Sequence, residues 1–461
     1  MDRNIALIKS SFLHSVKRGG IVVIWHSLFG YPKVISVETL DFINSFISPK
    51  RIADVFEEIN IDDPTEAIIS ELIESYFLVP DNINEREILN KINEERLVNS
   101  LSGSQVSYLE LIVSEKCNFG CVYCIHFNNL EFSERFNHKK LMDFETAKKA
   151  VDIFMKVLFV NGKRIAEINF GGGEPLLNWK VIKRIMDYCI GHYGQNFQLK
   201  FSINTNASLI VDEIALILKQ NQVGVASSLD GLKEGNDLVR LTKTGKGTFD
   251  SITKGFEVLR KNNYPLEGFA VTINELNFSQ LDESIINWAK MQGFKDVRID
   301  IDVIGLVKVS INDIVTKIIS IYQYAKKQNI YVTGFWARPV ENLNETILTN
   351  KVAFCGGVRG DSLCINPSGN IYYCGYSSQI LGNISDFQKF FSTEGGYATF
   401  LRSRVIGSLP FCHGCFIEGQ CGGGCQITWE HSQVQGSEKI KRMCDFYRQM
   451  TIELLFDQLS D

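Results

Sequence analysis

Residues 114–127 read SEKCNFGCVYCIHF and set three cysteines, Cys117, Cys121 and Cys124, within eight positions. The run grows out of SYLELIVSE (107–115), whose β-branched and leucine-rich centre reads as a buried strand. Five more strand-like runs follow: IAEINFGG (165–172), LKFSINT (199–205), VGVASSLD (223–230), EGFAVTIN (267–274) and DVRIDIDVI (296–304). All six are mostly apolar, as buried parallel strands are expected to be. Helical stretches separate them. In DFETAKKAVDIFMKVLF (143–159), Asp143 stands at the cap position, with Ala147, Ala150, Val151, Phe154 and Leu158 on one stripe. Repeated βα units predict an α/β fold, a partial (β/α)6 TIM-type barrel over 105–345. Such barrels work at the C-terminal ends of their strands, which is where the cysteine triad falls.

The rest of the 461-residue chain divides by its cysteines. None of the twelve precedes Cys117, four lie between 117 and 189, and eight between 355 and 444. The cysteine-free start, 1–98, reads as a winged-helix-like α+β unit. GIVVIWHSLFGYPKVIS (20–36) suggests two strands around a Gly-Tyr-Pro turn. Ser48-Pro49 and Asp63-Pro64-Thr65-Glu66 resemble helix starts, and TEAIISELIESYF (65–77) puts Ile68, Leu72 and Ile73 on one face. NEREILNKINEERL (84–97) reads as a linker helix. The tail, 346–461, is rich in Gly and Cys. Its DSLCINPSGNIYYCG (361–375) predicts a hairpin turning at Asn-Pro-Ser-Gly, with Cys364 and Cys374 on the two strands.

A formal net charge of −5 gives no basic field for nucleic acid. No window approaches the ~18 unbroken apolar residues of a membrane span. The N-terminal stretch lacks the pattern of a secretory signal, so a cytoplasmic address is expected. Many cysteines in a long chain without an export signal read as metal ligands or redox groups in preference to disulfides. Three thiolates with a fourth position open suit an iron–sulfur cube with one iron free for a small molecule. Three core cysteines, or part of a zinc site, are the competing readings.

Cys-x3-Cys-x2-Cys with Tyr123 before the last cysteine resembles the signature of radical S-adenosylmethionine (SAM) enzymes. The resemblance implies a [4Fe–4S] cluster on Cys117, Cys121 and Cys124. Its open iron chelates SAM, whose cleavage yields a 5′-deoxyadenosyl radical. NFGGGEPLL (169–177) resembles the GGEP motif, in which Gly172, Gly173 and Glu174 contact the SAM amino group. INTNAS (203–208) resembles a Thr-Asn-Gly motif with Ala207 in place of Gly, assigning Asn206 to the cofactor. SSLDG (227–231) with DLVR (237–240) assigns Ser228 and Arg240 to the SAM carboxylate, a task that suits a bidentate guanidinium.

The tail resembles the seven-cysteine SPASM extension, which carries two auxiliary [4Fe–4S] clusters. The resemblance assigns Cys412, Cys415, Cys421 and Cys444 to one cluster and Cys355, Cys374 and Cys425 to the other. Cys364 is placed as a further ligand of the second; Cys-x2-Cys spacing alone also fits zinc. Cys189 reads as a core residue, and His126 as structural or pocket-lining. The first hundred residues resemble the leader-recognition element of peptide maturases, which takes up a peptide as an added strand.

The implied function is maturation of a ribosomally made precursor peptide, bound through its leader. An electron donor such as a flavodoxin or ferredoxin would serve it. With every auxiliary iron held by the protein, a carbon–carbon or carbon–oxygen crosslink is expected over a thioether. A sulfatase-maturase-like oxidase making formylglycine is the second enzyme reading, and a zinc-stabilised binding protein a third. Asp300, Asp302 and Glu341 are candidate bases that sequence alone does not separate.

Overall fold

In the computed structural model, residues 4–59, 63–125, 140–302, 308–345, 353–435 and 438–458 are described. His126 lies outside them. The N-terminal part contains β1 (Ala6–Lys9), β2 (Leu13–Arg18), β3 (Ile21–His26), β4 (Gly30–Ile35), β5 (Lys50–Arg51) and β6 (Leu78–Pro80). Strands β2, β3 and β4 form an antiparallel meander, and β1 lies between β5 and β6 in a second small sheet. Helices α1 (Val37–Asn44), α2 (Ile52–Ile59) and α3 (Asp63–Glu74) flank them, and α4 (Glu85–Leu101) leads to the barrel.

Several local expectations change here. The β3–β4 turn is Ser27-Leu28-Phe29, and Gly30-Tyr31-Pro32 lies inside β4. Leu28 and Phe29 are fully buried against Leu89 and Ile406, so an apolar turn tip passes for strand in the sequence. Lys50 pairs in β5 and α2 begins at Ile52, so Ser48-Pro49 does not cap a helix. On α3 the buried residues are Ile69 and Leu72, with Ile68 exposed. The helix follows the angle set by its own core, one position away from the expected stripe. Strand β3 is buried on both faces. Val22 and Ile24 join the N-terminal core, while Val23 and Trp25 join the main one. That two-sided burial is why its sequence is a continuous apolar run.

The barrel strands are β7 (Tyr108–Ser114), β8 (Ile165–Gly172), β9 (Gln198–Asn204), β10 (Gly224–Ala226), β11 (Gly268–Ile273) and β12 (Asp296–Ile301). A short seventh parallel strand, β13 (Tyr331–Thr333), which the sequence reading passes over, pairs with β12. Strands β7 to β10 pair in parallel order, as do β11 and β12, and a Ser228–Ala270 bridge joins the two sets. The strands alternate in place of being apolar throughout. Leu109, Leu111, Val113, Ile168, Phe170, Val271 and Ile299 pack outward in the main core. The other face is polar, with Ser202 Oγ donating to Asn169 Oδ1 at 2.9 Å and an Arg298–Asp300 ion pair at 2.6 Å. A partial barrel lined this way has a largely polar inner face, not an apolar plug.

The helix Phe144–Val160 behaves as its sequence says. Asp143 accepts a hydrogen bond from the Thr146 backbone N–H at 2.7 Å, and all five residues of the expected stripe are buried. Asp143→Ala is expected to cost about 1 kcal/mol, measured by urea unfolding.

In the tail, β14 (Ser362–Ile365), β15 (Asn370–Tyr372) and β16 (Gly382–Asn383) extend the barrel sheet. Strand β14 pairs in parallel with β7, and Cys364 lies opposite Glu110. Cys374 sits two residues beyond β15 and not on it, because the hairpin ladder ends with the Cys364–Tyr372 pair. The Asn366 side chain holds the turn by accepting from the backbones of Ser368 and Asn370.

Among the described residues no helix is long and apolar enough to cross a membrane.

Candidate active site

The triad loop leaves β7 at its C-terminal end and is sewn to the segment that carries Arg240. Gly120 N–H donates to Leu241 O at 2.7 Å, and Val122 N–H to Val239 O at 2.9 Å. The loop and the arginine therefore move as one piece. Burial pushes the Cys117 thiol up to about 11 and raises Cys121 as well, Arg240 opposing the latter. Such thiols stay protonated at neutral pH unless a cation pays their ionisation, which a metal does.

Gly172 and Gly173 are required by backbone contact. Gly172 has φ +117°, and a Cβ there would sit 2.2 Å from Ser114 O; one on Gly173 would sit 2.5 Å from Lys116 O. The strand end of β8 thus lies directly against the triad loop. Glu174 is fully buried. Its oxygens accept from Thr205 Oγ1 at 2.7 Å, Asn206 N–H at 2.8 Å and Leu176 N–H at 3.0 Å. This carboxylate braces the ends of β8 and β9 against each other. Asn206 Nδ2 donates to Asn118 Oδ1 at 2.8 Å, so the third-strand motif reaches the triad loop through Asn118. Ala207, standing at the Gly position of that motif, does adopt a left-handed backbone, φ +63°.

Asp230 is the hub that spacing did not single out. It is fully buried and accepts from Tyr123 OH at 2.5 Å, Arg240 Nε at 2.7 Å and the Thr272 N–H at 2.8 Å. Burial works against the Arg240 charge. Asp230, Tyr123 and Cys121 together hold its pKa above the ordinary arginine value. Using Nε for Asp230 fixes the plane of the guanidinium. Ser228 lies half-buried at the bridge to β11.

A second missed group is Glu110. A Cβ on Gly171 or on Gly375 would lie 2.7 Å from its Oε1, so two bare backbones make room for this carboxylate. Tyr376 shares electrostatic contact with Glu110, Cys374 and Cys124, and so stands between the triad and the tail cysteines. Of the candidate bases, Asp300 pairs with Arg298 and accepts from Phe335 N–H. Asp302 accepts from Asn274 Nδ2 at 2.8 Å, and Glu341 is exposed on the helix Arg338–Asn344. Pairing with neighbours accounts for the first two.

All twelve cysteines are outside disulfides. Cys412, Cys415, Cys421 and Cys444 line one cavity together with Arg448, whose Nε donates to Cys415 Sγ at 3.4 Å. Burial takes Cys412 to about 11 and Cys444 to about 12. Cys374 and Cys425 each interact with Cys355, and burial raises both. Cys364 packs with Ile112 and Tyr372 in a small cluster of its own. Cys189 is in the main core. Among the described residues no group of three or more His, Cys, Asp or Glu closes on a single metal ion.

Comparison with known proteins agrees with this arrangement. Residues 111–286 match the model of the radical SAM superfamily. The radical SAM cyclopropyl synthase TigE of Paramaledivibacter caminithermalis is 27% identical, over 97% of this chain and 96% of its own length. A cysteine-type anaerobic sulfatase-maturating enzyme of Clostridium perfringens is 24% identical, over 75% of this chain and 95% of its own. The structure of Streptococcus suis SuiB bound to its precursor peptide SuiA superposes with a TM-score of 0.53 at 15% identity, covering 94% of this chain and 98% of SuiB. With the triad loop at the end of the first barrel strand, the glycines of the second folded against it and the matched segment spanning both, residues 111–286 of the chain are a radical SAM domain.

Proposed function

We propose that the protein is a radical SAM peptide maturase that forms a carbon–carbon bond within a ribosomally made precursor peptide. The observation that carries this reading is the extent of the two likenesses. TigE and SuiB match over nearly the whole chain, whereas the sulfatase-maturating enzyme leaves a quarter of it unmatched. The extra part has a use in peptide maturation and none in the sulfatase reading. A cyclopropyl synthase closes a ring of carbons, which favours carbon–carbon over carbon–oxygen or thioether chemistry.

In this reading residues 1–98 bind the leader, 105–345 form the catalytic barrel and 346–461 the SPASM domain with its two auxiliary clusters. Strand β4 is an edge of the β2–β3–β4 sheet, with α3 beside it through a Lys33–Glu71 ion pair. It offers a leader peptide a backbone ladder. Cys117, Cys121 and Cys124 would hold the cluster that binds SAM. The Gly172–Gly173 backbone, Asn206, Ser228 and the Asp230-held Arg240 would surround SAM. When bound, these cofactors supply the radical that removes hydrogen from an unactivated carbon. The protein's own part is placement. Arg240 orients a carboxylate, the polar inner face of the barrel holds the core peptide, and Glu110 and Tyr376 face it between the triad and Cys374. Cys364 would complete the second auxiliary set, and a flavodoxin or ferredoxin would deliver electrons.

Co-expression with a candidate short precursor peptide, sought among the genes beside this one, tests the reading. The expected product has lost two hydrogen atoms, and NMR traces the new bond to two carbons. A formylglycine in a sulfatase peptide, with the precursor unchanged, overturns it.

A further inference from the structure

Between the two sets of tail cysteines lies a buried cation that no motif calls for. Arg404 is 6% exposed. Its Nη2 donates to Gly422 O and Gly424 O, both at 3.2 Å, and its guanidinium stacks over Trp429 at 5.6 Å from the ring centroid. Gly422, Gly423 and Gly424 all have positive φ, so the chain between Cys421 and Cys425 bends around the guanidinium. A Cβ on Gly423 would stand 3.3 Å from both Nη atoms and 2.5 Å from Leu409. The three glycines are there to make this close wrap possible.

The wrap leaves one donor over. Arg404 Nε is buried without a hydrogen-bond partner. Leaving a charged donor unpaired in the interior is costly, and native proteins rarely do so. Arg404 interacts electrostatically with the Tyr373 hydroxyl first, then with Cys412 and Cys421 of one set and with Cys355 of the other. Cys425 feels it too. The Tyr373 hydroxyl is itself engaged with Glu430, and the other groups named around Arg404 are cysteine sulfurs of both sets. Half-buried Arg448, whose Nε donates to Cys415 Sγ, shows that the fold uses a guanidinium-to-sulfur bond here.

We infer that Arg404 is a positioning residue whose Nε–H is taken up by a sulfur of an auxiliary cluster, holding that cluster's reduction potential up. The inference rests on the auxiliary-cluster reading above. Hydrogen bonds to cluster sulfurs and nearby positive charge both favour the reduced, more negative state. Because Arg404 reaches both cysteine sets, it is also placed to keep the two potentials in step.

The test is an EPR-monitored redox titration of the anaerobically reconstituted full-length protein, comparing wild type with Arg404→Gln and Arg404→Lys. Iron content is counted in each. Wild-type protein lacking iron beyond the SAM cluster would sink the cluster reading itself. With full iron loading, Arg404→Gln is expected to lower at least one auxiliary potential and leave the SAM-binding cluster unmoved. Arg404→Lys, which keeps the charge and lacks Nε, is expected to give a smaller drop. Pulsed EPR on 15N-arginine-labelled protein is expected to lose a nitrogen coupling in Arg404→Lys. Auxiliary potentials equal to wild type in both variants overturn the inference. So does Arg404→Lys binding fewer irons than wild type, since the arginine would then be holding the loop and not the cluster.

Discussion

Asp230→Ala is expected to lower the stability of the protein by about 3–5 kcal/mol, the usual range when one partner of a buried ion pair is removed. The carboxylate is fully buried and takes three hydrogen bonds, from Tyr123, Arg240 and the backbone of Thr272. Removing it leaves the Arg240 guanidinium, itself 8% exposed, without its counter-charge. The tyrosine before the third cluster cysteine loses its acceptor at the same time. Urea unfolding of the reconstituted protein measures the loss. Asp230→Asn keeps a neutral acceptor, so its penalty should be smaller while the affinity for SAM still falls, because the guanidinium loses the charge that anchors its Nε. A wild-type midpoint in Asp230→Ala would show that Arg240 finds another partner and that the hub is dispensable.

The second large effect is expected from Cys121→Ala. Three thiolates are the least that hold a cube while leaving one iron open, and two do not. The variant should therefore lose about four irons, one [4Fe–4S] cluster's worth, from a wild-type total of about twelve. Cleavage of SAM should become undetectable. The tail thiols are separate in space, with Cys412, Cys415, Cys421 and Cys444 around their own cavity, so their iron and their spectra should persist. Iron analysis beside an assay for 5′-deoxyadenosine reads both results. Normal SAM cleavage in this variant would remove the triad from the site.

Much of this architecture is legible in the sequence because local spacing carries it. Three cysteines after a strand, glycines after the next and an Asp-capped amphipathic helix between them are each contained in a short window. What escapes the sequence is whatever depends on a remote partner. Asp230 acts through Tyr123, more than a hundred positions earlier, and through Thr272 on the following strand. Arg404 matters because the chain at 422–424 folds back over it. Glu110 has space only because two glycines from distant parts of the chain approach it. Glu174 shows the converse. Its motif is plain in the sequence, yet its carboxylate spends its hydrogen bonds inside the protein. Strand β13 was passed over for a simpler reason, being three residues long.

The Ser27–Phe29 turn bears on how such proteins can be recombined. Its Ser27 carbonyl accepts from the Gly419 N–H at 2.7 Å, Trp25 Nε1 donates to Phe416 O at 2.6 Å, and Arg86 grips Glu418 with both Nη atoms. Gly419 has no room for a side chain, since a Cβ would fall 2.0 Å from Leu28 O. The segment being gripped, 415–421, is the one that delivers two cysteines to the first tail cavity. The N-terminal unit is thus a plug with a matching socket, not a module on a tether. On the proposed function, a chimera that swaps residues 1–98 for those of a peptide maturase, to redirect it to a new peptide, must carry the matching 415–421 loop with them. Exchanged alone, the new front end would disturb the cysteine-lined cavity at the far end of the chain, and the failure would masquerade as lost catalysis.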